Sequence, residues 1–205
     1  MSKFLFKLIK KMRFLQRTTN LISIIGLSAA IAITGNLQIN PQATATNISQ
    51  NPVSATSQLT QLDRWYATEA AQAGMAEIEM AKLALQKSQN NNVKEYAQQM
   101  IKDHTPANQE LMQLLTQKGI TPPSNVGVKY QALIEQLSKL SGENFDQAYI
   151  NEAGINTHME NLIFSSRLLQ LGEDQDLKAF AVKNMPLIEA HLQLIEKLFP
   201  QPTQQ

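Results

Sequence analysis

From Leu62 to Leu198 the apolar residues of this 205-residue chain recur at steps of three and four, with no stretch of strict alternation. A half-buried strand needs an apolar side chain at every second position, so that span can only pack as helices. The first segment carries Leu62, Tyr66, Ala73, Met80 and Ala84 on one stripe, with Glu69 and Glu77 on or beside it. It should end near Gln89-Asn90-Asn91-Asn92, a polar cluster short enough to force an antiparallel neighbour.

The second segment, from Val93 to about Lys118, stripes through Val93, Ala97, Met100, His104, Leu111 and Leu115. Gly119 suits the position after a helix end, and Pro122-Pro123 prevents continuation. Pro106 lies inside the pattern and predicts a kink near Lys102. A short amphipathic helix follows over Lys129–Leu140, with Leu133, Leu137 and Leu140 on one side. Ser141 is placed to cap a third long helix from about Glu143 to Leu171, striped by Phe145, Ala148, Ile155, Met159, Leu162, Ser166 and Leu169. Gly172 closes it. Asp174 or Asp176 opens the last helix, which carries Leu177, Phe180, Asn184, Leu187, Ile188, His191, Leu194, Ile195 and Leu198, with a second interior proline at Pro186.

Four long amphipathic helices, two tight connections and one long middle connection describe an all-α four-helix bundle over residues 61–199. The middle connection has about 24 residues, and at about 1.5 Å per helical and 3.3 Å per extended residue it can cross the whole bundle. That reach favours a ferritin-like topology, in which the second and third helices run parallel and the short extra helix lies in the crossover.

Charge divides the chain unevenly. Six of its 18 basic residues (Lys3, Lys7, Lys10, Lys11, Arg13 and Arg17) lie in the first 20, and the first acidic residue is Asp63. The remainder holds 12 basic against 17 acidic residues, a balance that argues against nucleic acid as partner. The basic start leads into a predominantly apolar run of thirteen residues, Leu21–Ile33, and then to Ala43-Thr44-Ala45. These are the parts of a secretory signal, and the run is short of the about 20 residues a spanning helix needs. Residues 1–45 are accordingly expected to be a signal peptide or an uncleaved N-terminal anchor, the only contact with a membrane. Either form exports the body to the periplasm or an equivalent extracytoplasmic compartment. Residues 46–60, uncharged and rich in Ser, Thr, Gln and Asn, are expected to be a flexible linker, and 200–205 a disordered tail.

The chemistry available is narrow. With no cysteine, thiol catalysis, thiolate metal sites and iron–sulfur clusters are excluded. No glycine-rich phosphate loop or nucleophile elbow occurs, and no catalytic residue is assigned. The three histidines, His104, His158 and His191, lie on three different long helices, the first and last within the apolar stripe and His158 at its edge. Counting from the turns at 1.5 Å per residue puts them and Glu77 within about 10 Å along the axis. Three imidazoles and a carboxylate suit a divalent ion such as Zn²⁺, Cu²⁺, Mn²⁺ or iron. Glu152 is a further candidate ligand at that height, and Asp103 and Glu189 are candidate acceptors for ring N–H groups. The same residues also fit a buried hydrogen-bonded network that only fixes helix register. The residue three before each histidine is isoleucine (Ile101, Ile155, Ile188), so the Glu-x-x-His of carboxylate-bridged di-iron centres is missing.

Several segments carry a family resemblance: Ala73-Gly74-Met75-Ala76-Glu77-Ile78-Glu79, Val93-Lys94-Glu95-Tyr96-Ala97 and Met100-Ile101-Lys102-Asp103-His104. Phe145-Asp146-Gln147-Ala148-Tyr149, Asp176-Leu177-Lys178-Ala179-Phe180-Ala181 and Met185-Pro186 with His191-Leu192 extend it. In these the chain resembles the domain-of-unknown-function family numbered 4142, exported bacterial proteins of ferritin-like type that often carry an outer-membrane label. The resemblance implies a helical bundle in the envelope, with Glu77, Asp103, His104, His158 and His191 among the recurring residues, and it brings no activity. An acidic, all-helical body cannot form a membrane barrel. Three functions remain open: a bundle that binds a metal ion or small ligand, a structural or interaction bundle of the envelope, and a metal-dependent oxidoreductase.

Overall fold

The computed structural model describes residues 59–200, so the expected signal or anchor segment, nearly all of the linker and most of the C-terminal tail lie outside the described residues. Helix α1 spans Gln61–Lys87 and α2 spans Asn91–Gln117. The short α3 (Gly127–Ser138) occupies the crossover. The third rod is composite: α4 (Gly142–Tyr149), a π-helical segment (Ile150–Asn156) and α5 (Thr157–Leu171). Helix α6 (Gln175–Leu198) completes the set, and no strand occurs among the described residues.

The rods form a square in which α1 packs on α2 and α5, and α6 packs on α2 and α5. Their directions follow from the ties at their ends. Asn92, at the start of α2, donates its amide to Leu198 O at the end of α6, 2.8 Å away. Lys118, just past the end of α2, pairs with Asp174 and Asp176 at the start of α6, each at 2.7 Å. Asp63, near the start of α1, accepts from the backbone N–H of Glu173 beyond the end of α5, at 3.1 Å. Helices α1 and α6 therefore run one way and α2 and the third rod the other, so the second and third rods are parallel and the crossover spans the bundle. Helix α3 lies along α1 within it.

Local chemistry sets the helix ends. Thr60 and Asp63 form a reciprocal capping box at α1, Asn90 caps α2 through Asn92 N–H at 2.9 Å, and Asp174 caps α6 through Leu177 N–H at 2.9 Å. Ser141 stands at the start of α4 as expected, but its side chain makes no capping bond. Gly119 takes a left-handed φ of 69° after α2, which closes the turn through Ile120 N–H to Leu115 O at 2.9 Å. Gly172 has an ordinary φ of −73° and serves a different need. A Cβ there would stand 2.7 Å from both Leu168 O and Asp63 Oδ1, so only glycine lets the α5–α6 turn close onto Asp63. Helices α2 and α6 continue on both sides of Pro106 and Pro186.

The expected stripe of α2 is buried in full, from Val93 to Leu115. The third rod departs from expectation. Ala148, Ile155 and Met159 are only half-buried, and the interior is taken by Tyr149, Ala153 and Thr157 and by Ile150, Gly154 and His158, at steps of four. The wider π turn explains the change, because it advances the buried face by more than 3.6 residues per turn. His158 consequently moves from the edge of the stripe to full burial, at 0% exposure.

The core is divided into two apolar clusters. One gathers Met80, Tyr96, Met100, Phe145 and Tyr149 with their neighbours; the other gathers Tyr66, Leu111, Leu115, Leu168 and Leu177. Along α1 and α2, Glu77 and His104 fall outside both clusters, and each is buried.

Candidate metal centre

The buried polar set begins with Glu77 on α1. Its Oε2 lies 2.9 Å from His104 Nδ1 on α2, and its Oε1 lies 3.5 Å from His158 Nδ1 on α5. Asn161, one turn beyond His158, donates its amide to the same Oε1 at 3.1 Å. The π segment supplies the next contact. At its end the Thr157 hydroxyl bonds Glu152 O at 2.9 Å and the His158 ring bonds Ala153 O at 3.1 Å, each five residues back. A helical distortion thus fixes the aim of one imidazole. His191 on α6 points its Nε2 at Asp103 Oδ2, 2.9 Å away, and that carboxylate is steadied by the Gln99 amide.

Each ring therefore has one outward nitrogen facing an acceptor: Glu77 for His104, Ala153 O for His158 and Asp103 for His191. The other three nitrogens face one another. His191 Nδ1 is 3.2 Å from His104 Nε2 and 3.0 Å from His158 Nε2, and one ligand nitrogen from each ring lies within 4.8 Å of the others. A neutral imidazole carries one proton and one lone pair. With each proton on the outward nitrogen, the tautomer those acceptors favour, three lone pairs converge at the centre.

A proton on the central nitrogens relieves only part of this conflict. The His104 pKa is raised: burial opposes the charge, but the Glu77 carboxylate beside it more than compensates. Burial drives His158 down to about 3, and burial together with the His104 charge lowers His191. A charged His104 can donate to His191 Nδ1, yet His158 Nε2 still meets that atom at 3.0 Å with two lone pairs opposed. Moving the His158 proton to Nε2 would instead set its Nδ1 lone pair against Ala153 O and Glu77. Glu77 stays ionised, since burial raises its pKa but the three histidines lower it further.

The residues singled out in the sequence do not all meet. His104, His158 and His191 converge and could hold one metal ion. Glu77, expected as a fourth ligand, stands behind two of the rings, because its oxygens are directed at their outward Nδ1 atoms. Asp103 lies against His191, its Oδ2 2.9 Å from the outward Nε2. Glu189 is buried two residues before His191 on α6. Glu152 does not join the set: it is half-buried and its Oε2 takes the Asn156 amide at 2.9 Å. Sequence reasoning missed Ala153 O and Asn161. Only Gly154 in the middle of a helical pattern hinted at the irregular turn that exposes the Ala153 carbonyl.

Comparison with known proteins bears on the fold and the family. The crystal structure of a DUF305 fragment from Deinococcus radiodurans superposes with a TM-score of 0.59 at 14% identity, over 68% of this chain and 96% of that one. At that identity the likeness concerns the fold alone. No curated protein matches the sequence. The sequence model of the family described as domain of unknown function DUF4142 matches residues 49–198, which is most of the chain, and the protein belongs to that family.

Proposed function

We propose that this protein is an exported ferritin-like bundle that binds one divalent transition-metal ion through His104 Nε2, His158 Nε2 and His191 Nδ1. One observation carries the reading: one nitrogen from each of three imidazoles meets the others in a buried space, while each ring's other nitrogen faces an acceptor. Around a tetrahedral ion with nitrogen ligands at 2.0–2.1 Å, adjacent nitrogens stand about 3.3 Å apart. Two of the three spacings, 3.0 and 3.2 Å, are close to that value, and the third lies within 4.8 Å. Outer acceptors of this kind hold ligating histidines in one tautomer and raise their basicity, which here falls to Glu77, Ala153 O and Asp103. Three neutral imidazoles suit Zn²⁺ and Cu²⁺ better than Mn²⁺, which favours oxygen. Bound there, such an ion supplies Lewis acidity; the chain's own part is to hold the rings, exclude bulk water and balance charge with two carboxylates.

The test is metal analysis of untagged full-length protein together with titration calorimetry of the stripped form. The expected result is one Zn²⁺ or Cu²⁺ per chain in the wild type, weak binding of Mn²⁺, and loss of the site in His104→Ala and His191→Ala. Wild-type protein that takes up none of these ions would leave a register-fixing polar network as the function of the set. Export rests on the basic start, the apolar run Leu21–Ile33 and Ala43-Thr44-Ala45. Mass spectrometry of the protein recovered from the envelope should find an N-terminus after Ala45 or an intact anchor.

A further inference from the structure

Beside the histidines a cavity of about 60 Å³ runs between the helices from Glu77 and His104 to Tyr66 and Ser165. Tyr66 and Glu77 are eleven residues apart on α1, so the space extends about 16 Å along the axis. Small residues of α1, Ala70 and Gly74, line it. Gly74 is the tightest of them: a Cβ there would stand 2.8 Å from Asn108 Oδ1 on the opposite wall.

The walls are chiefly apolar, and their one ionised pair is internally matched, because Glu77 is engaged by His104 and Asn161. At the far end Tyr66 and Ser165 are more than nine-tenths buried, yet their hydroxyls stand 3.4 Å apart. Good O–H···O bonds are 2.5–3.0 Å long, so these two hydroxyls are joined only by a long, weak bond that a better-placed ligand oxygen could replace. Burial raises the Tyr66 pKa, which keeps its proton in place. The space equals about four water positions and is well below the 150 Å³ that admits benzene.

We infer that this cavity is a binding site for a small, uncharged molecule whose oxygen is held by the Tyr66 and Ser165 hydroxyls and whose apolar part lies along the Ala70, Ala107 and Phe164 walls. The class follows from the walls. A free anion would meet the Glu77 carboxylate with no unpaired cation to receive it, and the volume suits a ligand of only a few heavy atoms. The inference goes beyond metal binding and invokes none of the three inward ring nitrogens.

The chain carries its own reporter. Trp65, the sole tryptophan, packs edge-on against Phe164 at 4.7 Å between ring centroids, and Phe164 lines the cavity. Full-length ¹⁵N-labelled protein would be titrated with 1-propanol and, separately, with propionate, following the Trp65 indole and the side-chain amides of Asn108 and Asn161 by NMR. The expected result is saturable, millimolar binding of 1-propanol confined to these signals, and no saturable response to propionate. Tyr66→Phe should raise the Kd about fivefold, the loss of one hydrogen bond. Ala107→Leu, which fills the cavity from α2, should abolish the response. If that variant does not fold, Ala70→Leu fills it from α1. Linear, unsaturable shifts in the wild type, an unchanged Kd in Tyr66→Phe, or an equal response in a filled variant would each overturn the inference. Failure of metal binding would instead appear in calorimetry and leave this titration unaffected.

Discussion

Metal-linked stability separates the roles assigned to His191 and Asp103. A ligand that binds only the folded state at a free concentration of 100 times its Kd adds about 2.7 kcal/mol. The described bundle, residues 59–200, has an unfolding entropy near 0.3 kcal/mol/K at about 2.1 cal/mol/K per residue. Zn²⁺ at that level should therefore raise the wild-type Tm by about 9 °C. Of the His191 ring, Asp103 meets the outward Nε2, at 2.9 Å, and not the inward nitrogen. Losing such an outer acceptor weakens metal binding about 10–100-fold, which at the same Zn²⁺ concentration leaves about 0.4–1.4 kcal/mol, or about 1–5 °C, in Asp103→Asn. His191 Nδ1 faces both other rings, and His191→Ala removes one of three proposed ligands. If affinity falls about 1,000-fold or more, the remaining shift is below about 0.3 °C. Differential scanning calorimetry of the three proteins, stripped and at one fixed free Zn²⁺ concentration, reads the series directly, with circular dichroism to establish that each is folded. Equal shifts in all three would place the ion elsewhere on the chain and refute the assignment.

Three further outcomes follow from particular contacts. Asp63 is fully buried at the α5–α6 turn; burial would raise its pKa, but bonds from the Thr60 hydroxyl and from the backbone N–H of Thr60, Asp174 and Glu173 lower it overall. A depressed folded pKa adds stability above the unfolded value near 4 and loses it as pH falls through the folded value. Asp63→Asn should thus cost about 2 kcal/mol at pH 7 and progressively less below about pH 4, measured by urea denaturation; a gap independent of pH would contradict this. Gly172→Ala forces a Cβ to within 2.7 Å of Leu168 O and should lower stability by about 1–3 kcal/mol, with an unaltered Tm counting against the packing described. Glu152→Ala should leave the Zn²⁺-induced Tm shift unchanged, since that carboxylate is bonded to Asn156; a reduced shift would return Glu152 to the site.

The architecture was legible where regular geometry governs. Every stripe residue named on α2 is buried, and counting 1.5 Å per residue from the turns was enough to bring His104, His158 and His191 to one level. The third rod was not legible, because a 3.6-residue period assumes the very hydrogen-bonding pattern that Ile150–Asn156 abandons. Glu77 shows a second limit. Its height was readable, but whether a carboxylate meets an ion or the far side of an imidazole depends on ring orientation, and that comes from Ala153 O, Asn161 and Asp103 on other rods. The tie from Asp63 to Glu173, 110 residues away, had no local signal at all.

The three imidazoles are separated by long spans of chain: His191 lies 87 residues from His104 and 33 from His158. Any group that bridges them acts as a removable rivet, closing loops that no covalent bond closes in this cysteine-free protein. Where that group is the proposed ion, its removal takes away the shared pin and the rods open more readily to proteolysis, so the lifetime of the protein would gauge how much ion surrounds it.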